Sequence, residues 1–152
     1  PFTTLRPSLG VVNMGDYETM LVADIPGLIE GAAEGIGLGH DFLRHVERTR
    51  VLVHMVEPFP ADGSDPVANY RTLRRELSLH GGDLSEKPEV LAMSKSELTG
   101  AEERREALEL ETGRKVLAIS AVTGRGLAEL VKQVCACRRD AATTPLVAEP
   151  TT

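Results

Sequence analysis

Three short apolar runs, VLVHMV (51–56), EVLAMS (89–94) and KVLAIS (115–120), are separated from one another by segments of helical character. This alternation limits the possible folds more than any other feature of the chain. Nearly continuous apolar runs of this length predict strands buried on both faces of a parallel sheet. Between the first two, residues 67–80 place Leu73 and Leu77 four apart beside a solvated RTLRRE, and the Asp65-Pro66 pair reads as a helix start. GAEERREALELETG (100–113) reads as a charged amphipathic helix closed by Gly113. TGRGLAELVKQVCACRR (123–139) opens on glycines and predicts a helix with Leu127, Leu130, Val131 and Val134 inward. Strand and helix in alternation give an α/β domain around a largely parallel sheet.

Upstream, SLGVVNM (8–14) and TMLVAD (19–24) flank the turn-like GDYE and predict a hairpin. HDFLRHVERTR (40–50) places Phe42, Leu43, Val46 and Glu47 at helical spacing, with an apolar face. Between them lies VADIPGLIEGAAEGIGLGH (22–40), with five glycines from Gly27 to Gly39. Glycine loses more conformational freedom on folding than any other residue, so a cluster needs a reason. Two readings are open: a flexible surface loop, or a backbone that approaches a ligand and changes shape. In open α/β sheets ligands bind at the carboxyl ends of the strands. DIPG (24–27), SKSE (94–97) and SAVTG (120–124) each follow a predicted strand and belong to that rim.

Length and charge narrow the function classes. A chain of 152 residues with 41% hydrophobic and 26% charged residues suits one domain with a proper core. The net charge of −6, from 17 basic and 23 acidic residues, argues against a general phosphate-backbone binder, and sequence-specific DNA binding is not expected. There is no run of 18 apolar residues, hence no expected membrane span. Cys135 and Cys137, one residue apart, read as reduced thiols of a cytoplasmic protein. His40, His45, His54 and His80 are scattered and read as surface or core residues rather than metal ligands.

The rim residues suggest phosphate chemistry. An aspartate ending a strand, as Asp24 does, can hold magnesium through water, while the Gly27 N–H can approach a terminal phosphate with no Cβ in the way. The alternative is that Asp24 caps the following turn. A threonine at Thr3 or Thr4 can ligate magnesium and sense a γ-phosphate, although two threonines in a loop mean little alone.

PFTTLRPSLGVV, VADIPGLIEGAAEGIGLGHDFLRHVERTRVLVH, DGSDPVANYRTLRREL and ISAVTGRGL, in this order, resemble the Obg family of GTPases over about residues 1–134. The resemblance implies a P-loop GTPase-like G domain, with a mostly parallel sheet flanked by helices. Residues 1–138 would be a partial Obg-type G domain, and 139–152 a disordered C-terminal tail. It implies binding of GTP or GDP with Mg2+, slow GTP hydrolysis, and a switch role in assembly of the large ribosomal subunit. In the FTT segment (Phe2, Thr3, Thr4, Leu5, Arg6), Thr4 would be the switch I residue on magnesium and the γ-phosphate. Asp24, Ile25, Pro26 and Gly27 would be the switch II phosphate sensor, with Asp24 near magnesium. The glycines of 27–39 would let that segment refold between nucleotide states. Ser94, Lys95, Ser96 and Glu97 would form the base-recognition loop, and Ser120, Ala121 and Val122 the loop that supports guanine.

Three departures accompany the resemblance. The phosphate loop G-x-x-x-x-G-K-[ST] is not in this sequence and is expected upstream of Pro1, with the first strand, the first helix and the glycine-rich N-terminal domain. Residues 1–152 alone are therefore expected to be inactive. The base loop, N-K-x-D in the family, has Ser94 for the asparagine and Glu97 for the aspartate; Glu57 shows the same lengthening of an aspartate. Leu28 follows DIPG where Ras-type GTPases place a water-orienting glutamine, so no catalytic residue is assigned. Two alternatives are a truncated or drifted interaction module without nucleotide chemistry, and an ATP-using relative.

Overall fold

The structure, a computed structural model, describes residues 9–15, 17–23, 49–80 and 84–143. They fall into two units: residues up to 49 with 75–85, and residues 50–74 with those from 86 onward. In the first, β1 (Leu9–Gly15) and β2 (Glu18–Ala23) form the expected antiparallel hairpin, with Leu9 opposite Ala23 and Val11 opposite Leu21. The chain reverses through left-handed residues, Gly15 at φ 85° and Tyr17 at φ 62°.

The second unit is built on a parallel sheet of β3 (Leu52–Val56), β4 (Glu89–Met93) and β5 (Val116–Ala118), in that order. The helices are α1 (Pro66–His80), α2 (Ala101–Thr112) and α3 (Leu127–Thr143). The start of α1 is set as its sequence predicts: the Ala68 N–H donates to Asp65 Oδ2 at 3.0 Å, satisfying one of the free N–H groups of the first turn. Helix α2 is entered through Gly100 and left through Gly113, both left-handed, and the Gly113 N–H donates to the Glu109 carbonyl.

Parallel register puts Val56, Leu91, Met93 and Val116 on one face of the sheet, where they form a core with Tyr70 and Val67 of α1 and Leu108 of α2. The opposite face carries Val90, Ala92 and Leu117, all buried, and α3 packs on β4. Strand β4, paired on both edges, matches the expectation of burial on both faces. β3 does not. Its burial alternates, and Val53 and Met55 are 40% and 45% exposed; among the described residues β3 pairs with β4 alone, and α3 packs on β4.

Two helix expectations also change. The turns from Ser120 to Gly126 delay α3 to Leu127, whose side chain is exposed rather than inward, and the helix continues to Thr143, past the residue 138 boundary. Arg74, read as part of a solvated face, instead turns in to Glu89. That carboxylate is nearly fully buried at the start of β4. It meets Arg74 Nη1 at 3.0 Å, His54 Nδ1 at 3.4 Å and the Tyr70 hydroxyl at 3.4 Å, together with Arg114 Nη1. His54 stacks on Tyr70 with ring centroids 4.8 Å apart. Burial pushes the Glu89 carboxyl up, but the His54 hydrogen bond and the charges of His54, Arg74 and Arg114 outweigh it and hold the group below the usual range. The predicted helix at 40–50 and the tail 144–152 lie outside the described residues, apart from Thr49 and Arg50.

Candidate functional site

The carboxyl ends of β4 and β5 carry SKSE and SAV, and the structure joins them. The Ile119 N–H donates to the Met93 carbonyl at 2.9 Å, and the Ser96 N–H donates back to the Ile119 carbonyl at 3.0 Å. These bonds continue the strand pairing into both loops. Ser120 completes the link: its hydroxyl donates to Glu97 Oε1 at 2.7 Å and accepts the Thr123 N–H at 3.0 Å. Ser120 is completely buried. A serine with both hydrogen-bonding directions used is a fixed post, and it sets the position of the Glu97 carboxylate. That hydrogen bond, followed by one from Glu97's own backbone, holds the carboxyl below the usual range, so Glu97 is anionic at neutral pH. The exposed carboxylate lies at the rim, where it can accept from a donor placed above it.

The other residues of the first loop are placed as sharply. The Ser94 N–H donates to the Val56 carbonyl at 2.9 Å, which ties the loop to the end of β3. Lys95 adopts φ 54°, a left-handed conformation costly for a residue with a Cβ, and its carbonyl accepts the Leu98 N–H at 3.1 Å. Its ammonium reaches Glu57 Oε1 at 2.6 Å. In the second loop Ala121 and Val122 are exposed, Val122 by 81%, so an apolar surface and free backbone lie beside the Glu97 carboxylate.

Sequence reasoning passed over Gly126. Its φ of 78° is left-handed, and an ideal Cβ there would lie 2.0 Å from the Ala118 carbonyl oxygen. The tight return of the chain onto β5 requires glycine, and the second glycine of TGRG was the available signal. Glu57 was noted only as a departure; its contact with Lys95 crosses from the β3 loop to the β4 loop.

Phe2, Thr3, Thr4, Leu5, Arg6, Asp24, Ile25, Pro26 and Gly27 lie outside the described residues, so the phosphate and magnesium half of the expected site has no geometry here. Among the described residues no group of three His, Cys, Asp or Glu side chains could hold a metal ion. No helix among them is long and apolar enough to cross a membrane. A cavity of about 330 Å³ lined by Glu89, Arg114, Lys115, Gln133 and Cys137 lies at the start of β4 and β5, the end away from these loops.

Comparison with known proteins agrees with this geometry. Residues 1–95 match the family model described as 50S ribosome-binding GTPase. GTPase Obg of Syntrophomonas wolfei is 50% identical over 131 residues, covering 86% of this chain and 31% of that protein. GTPase Obg of Synechococcus sp. is 54% identical over 140 residues, covering 88% of this chain and 40% of that protein. The chain thus spans about a third of the length of these curated relatives. Among solved structures, Era in complex with MgGDPNP and a segment of 16S ribosomal RNA aligns with a TM-score of 0.60 at 21% identity, over 99% of this chain and 48% of that one. The likeness shows a P-loop GTPase fold. With loops paired at the strand ends, a matching family model and these relatives, the chain belongs to the 50S ribosome-binding GTPases and, among them, to the Obg family.

Proposed function

We propose that this chain supplies the base-reading half of a guanine-nucleotide switch that hydrolyses GTP slowly and acts in assembly of the large ribosomal subunit. The observation that carries the reading is the Ser120–Glu97 hydrogen bond, which presents an anionic carboxylate from a buried post. Guanine offers N1–H and a 2-amino group on one edge, and a carboxylate accepts both; adenine offers no such pair. The stem of Lys95 would lie along the base plane, and Ala121 and Val122 would support the ring from the second loop. Thr4 and Asp24 are the residues that would hold magnesium, which supplies neutralisation of phosphate charge. Leu28 cannot align water, which fits slow hydrolysis without an assigned catalytic residue. The ribosomal role is supported by the description of the matching family model.

The test is nucleotide selectivity in the full-length protein. Glu97→Ala is expected to reduce the preference for GDP over ADP by about tenfold or more, since hydrogen bonds to a charged acceptor are lost. Unchanged selectivity would overturn the base-reading role. Cosedimentation with large ribosomal subunits, stronger with a GTP analogue than with GDP, is the expected outcome for the assembly role.

A further inference from the structure

Lys95 has the longest and most flexible side chain of the base loop, yet in the proposed role its stem must lie flat. It is about half exposed and carries a long flexible chain from a left-handed backbone position. Free in water, such a side chain samples many rotamers and loses them on contact with a ligand. In the structure its ammonium is held at 2.6 Å by Glu57 Oε1, a residue just beyond β3.

The carrier of that acid is rigid. Glu57 follows the last residue of β3 and precedes Pro58, which is fully buried. A residue before proline is confined to extended backbone, so the direction in which the half-exposed Glu57 side chain leaves the chain is fixed, and from there it reaches Lys95. On the other side, Glu97 also attracts Lys95, and the Glu57 hydrogen bond is the largest cause that raises the lysine above its ordinary range. Were Glu57 absent, the ammonium would be drawn toward Glu97 and compete for the oxygen that a base donor needs. Both acids are glutamates, so the two arms on either side of Lys95 have the same reach.

We propose that Glu57 is a positioning residue for nucleotide binding: it holds the Lys95 ammonium away from Glu97 and pre-orders the lysine stem as a shelf for the base. The inference rests on the base-reading role proposed above. It extends the site to a third strand: the loop after β3 supplies one charged group, the loop after β4 two, and the loop after β5 the Ser120 hydroxyl.

The test is a double-mutant cycle on GDP affinity in the full-length protein, with Glu57→Gln, Lys95→Ala and both together. Glu57→Gln is expected to weaken GDP and GTP equally, by about fivefold. It should leave the melting temperature unchanged, because the pair is exposed. Glu57→Asp, which keeps the charge and loses reach, should recover part of the affinity. In the Lys95→Ala background, Glu57→Gln should add nothing. An undiminished effect in that background, or no effect in the single variant, would overturn the proposal. The base-reading role fails separately, if the wild-type protein binds GDP no better than ADP; the cycle still reads Glu57 from GDP affinity. Wild-type protein that binds no GDP would overturn both.

Discussion

The two faces of the parallel sheet are built from similar residues and end in different states. On one, Val56, Leu91, Met93 and Val116 are closed over by α1 and α2; on the other, α3 packs on β4, and Val90, Ala92 and Leu117 are buried while Val53 and Met55 of β3 are open. VLVHMV is no less apolar than EVLAMS. The difference comes from what covers each strand: α3 packs on β4, and β5, though also at an end of the sheet, keeps Val116 and Leu117 buried, while the same side of β3 is left open among the described residues. Apolarity brings a strand to the sheet, and topology decides how much of it is buried.

The largest expected effect lies on the closed face. Leu108 has no exposure, and Leu108→Ala should cost about 3 kcal/mol through lost burial and the cavity left behind, measured by urea unfolding of the full-length protein. A loss under about 1 kcal/mol would mean that α2 collapses onto the gap and that the closed face is less tightly packed than the contrast requires.

Glu89→Gln comes next, at about 2–3 kcal/mol, because it strands two guanidinium groups that are partly solvated. The same residue predicts a pH dependence. Its folded pKa is depressed, so the unfolded chain binds the proton more readily in acid. The stability it contributes is complete above the ordinary glutamate value of 4.5 and is lost as pH falls below it, through the lower folded value. Wild-type and Glu89→Gln unfolding curves should therefore converge below that pH and separate above it. Parallel curves would show that the cluster holds Glu89 in no special state.

The smallest effect belongs to the open face. Val53→Ala should change stability by under about 0.5 kcal/mol if the side chain is as exposed in the whole protein as it is here. A loss several times larger would show that another part of the protein closes this face, and would remove the asymmetry.

These contrasts mark what the chain reveals before it folds. The strands, the cap at Asp65 and the stop at Gly113 depend on residues within a few positions of one another, and apolar runs and punctuation expose them directly. The Glu89 cluster gathers residues 15, 25 and 35 positions away, and no local pattern announces such a meeting. Arg74 looked solvated because its neighbours are. The open side of β3 was hidden for the same reason, since strand order is a property of the whole sheet. At the loops after β4 and β5, family resemblance singled out Glu97 and Ser120, and their bond follows from adjacent parallel strands. Glu57 was not, because its partner belongs to the next strand's loop.

Glu89 has a further consequence for the loops at the far end of its strand. Five residues at about 3.3 Å each make β4 a strut of roughly 16 Å. Its foot is bolted to α1, β3 and the start of β5 by a charged knot, and both of its edges are hydrogen-bonded. A strut anchored in this way resists rocking: tilting its head would drag a carboxylate out of its cage of cations. SKSE therefore stands on a fixed pedestal. If SKSE reads the base as proposed, it does so as a still jaw, held in place by the foot of its own strand.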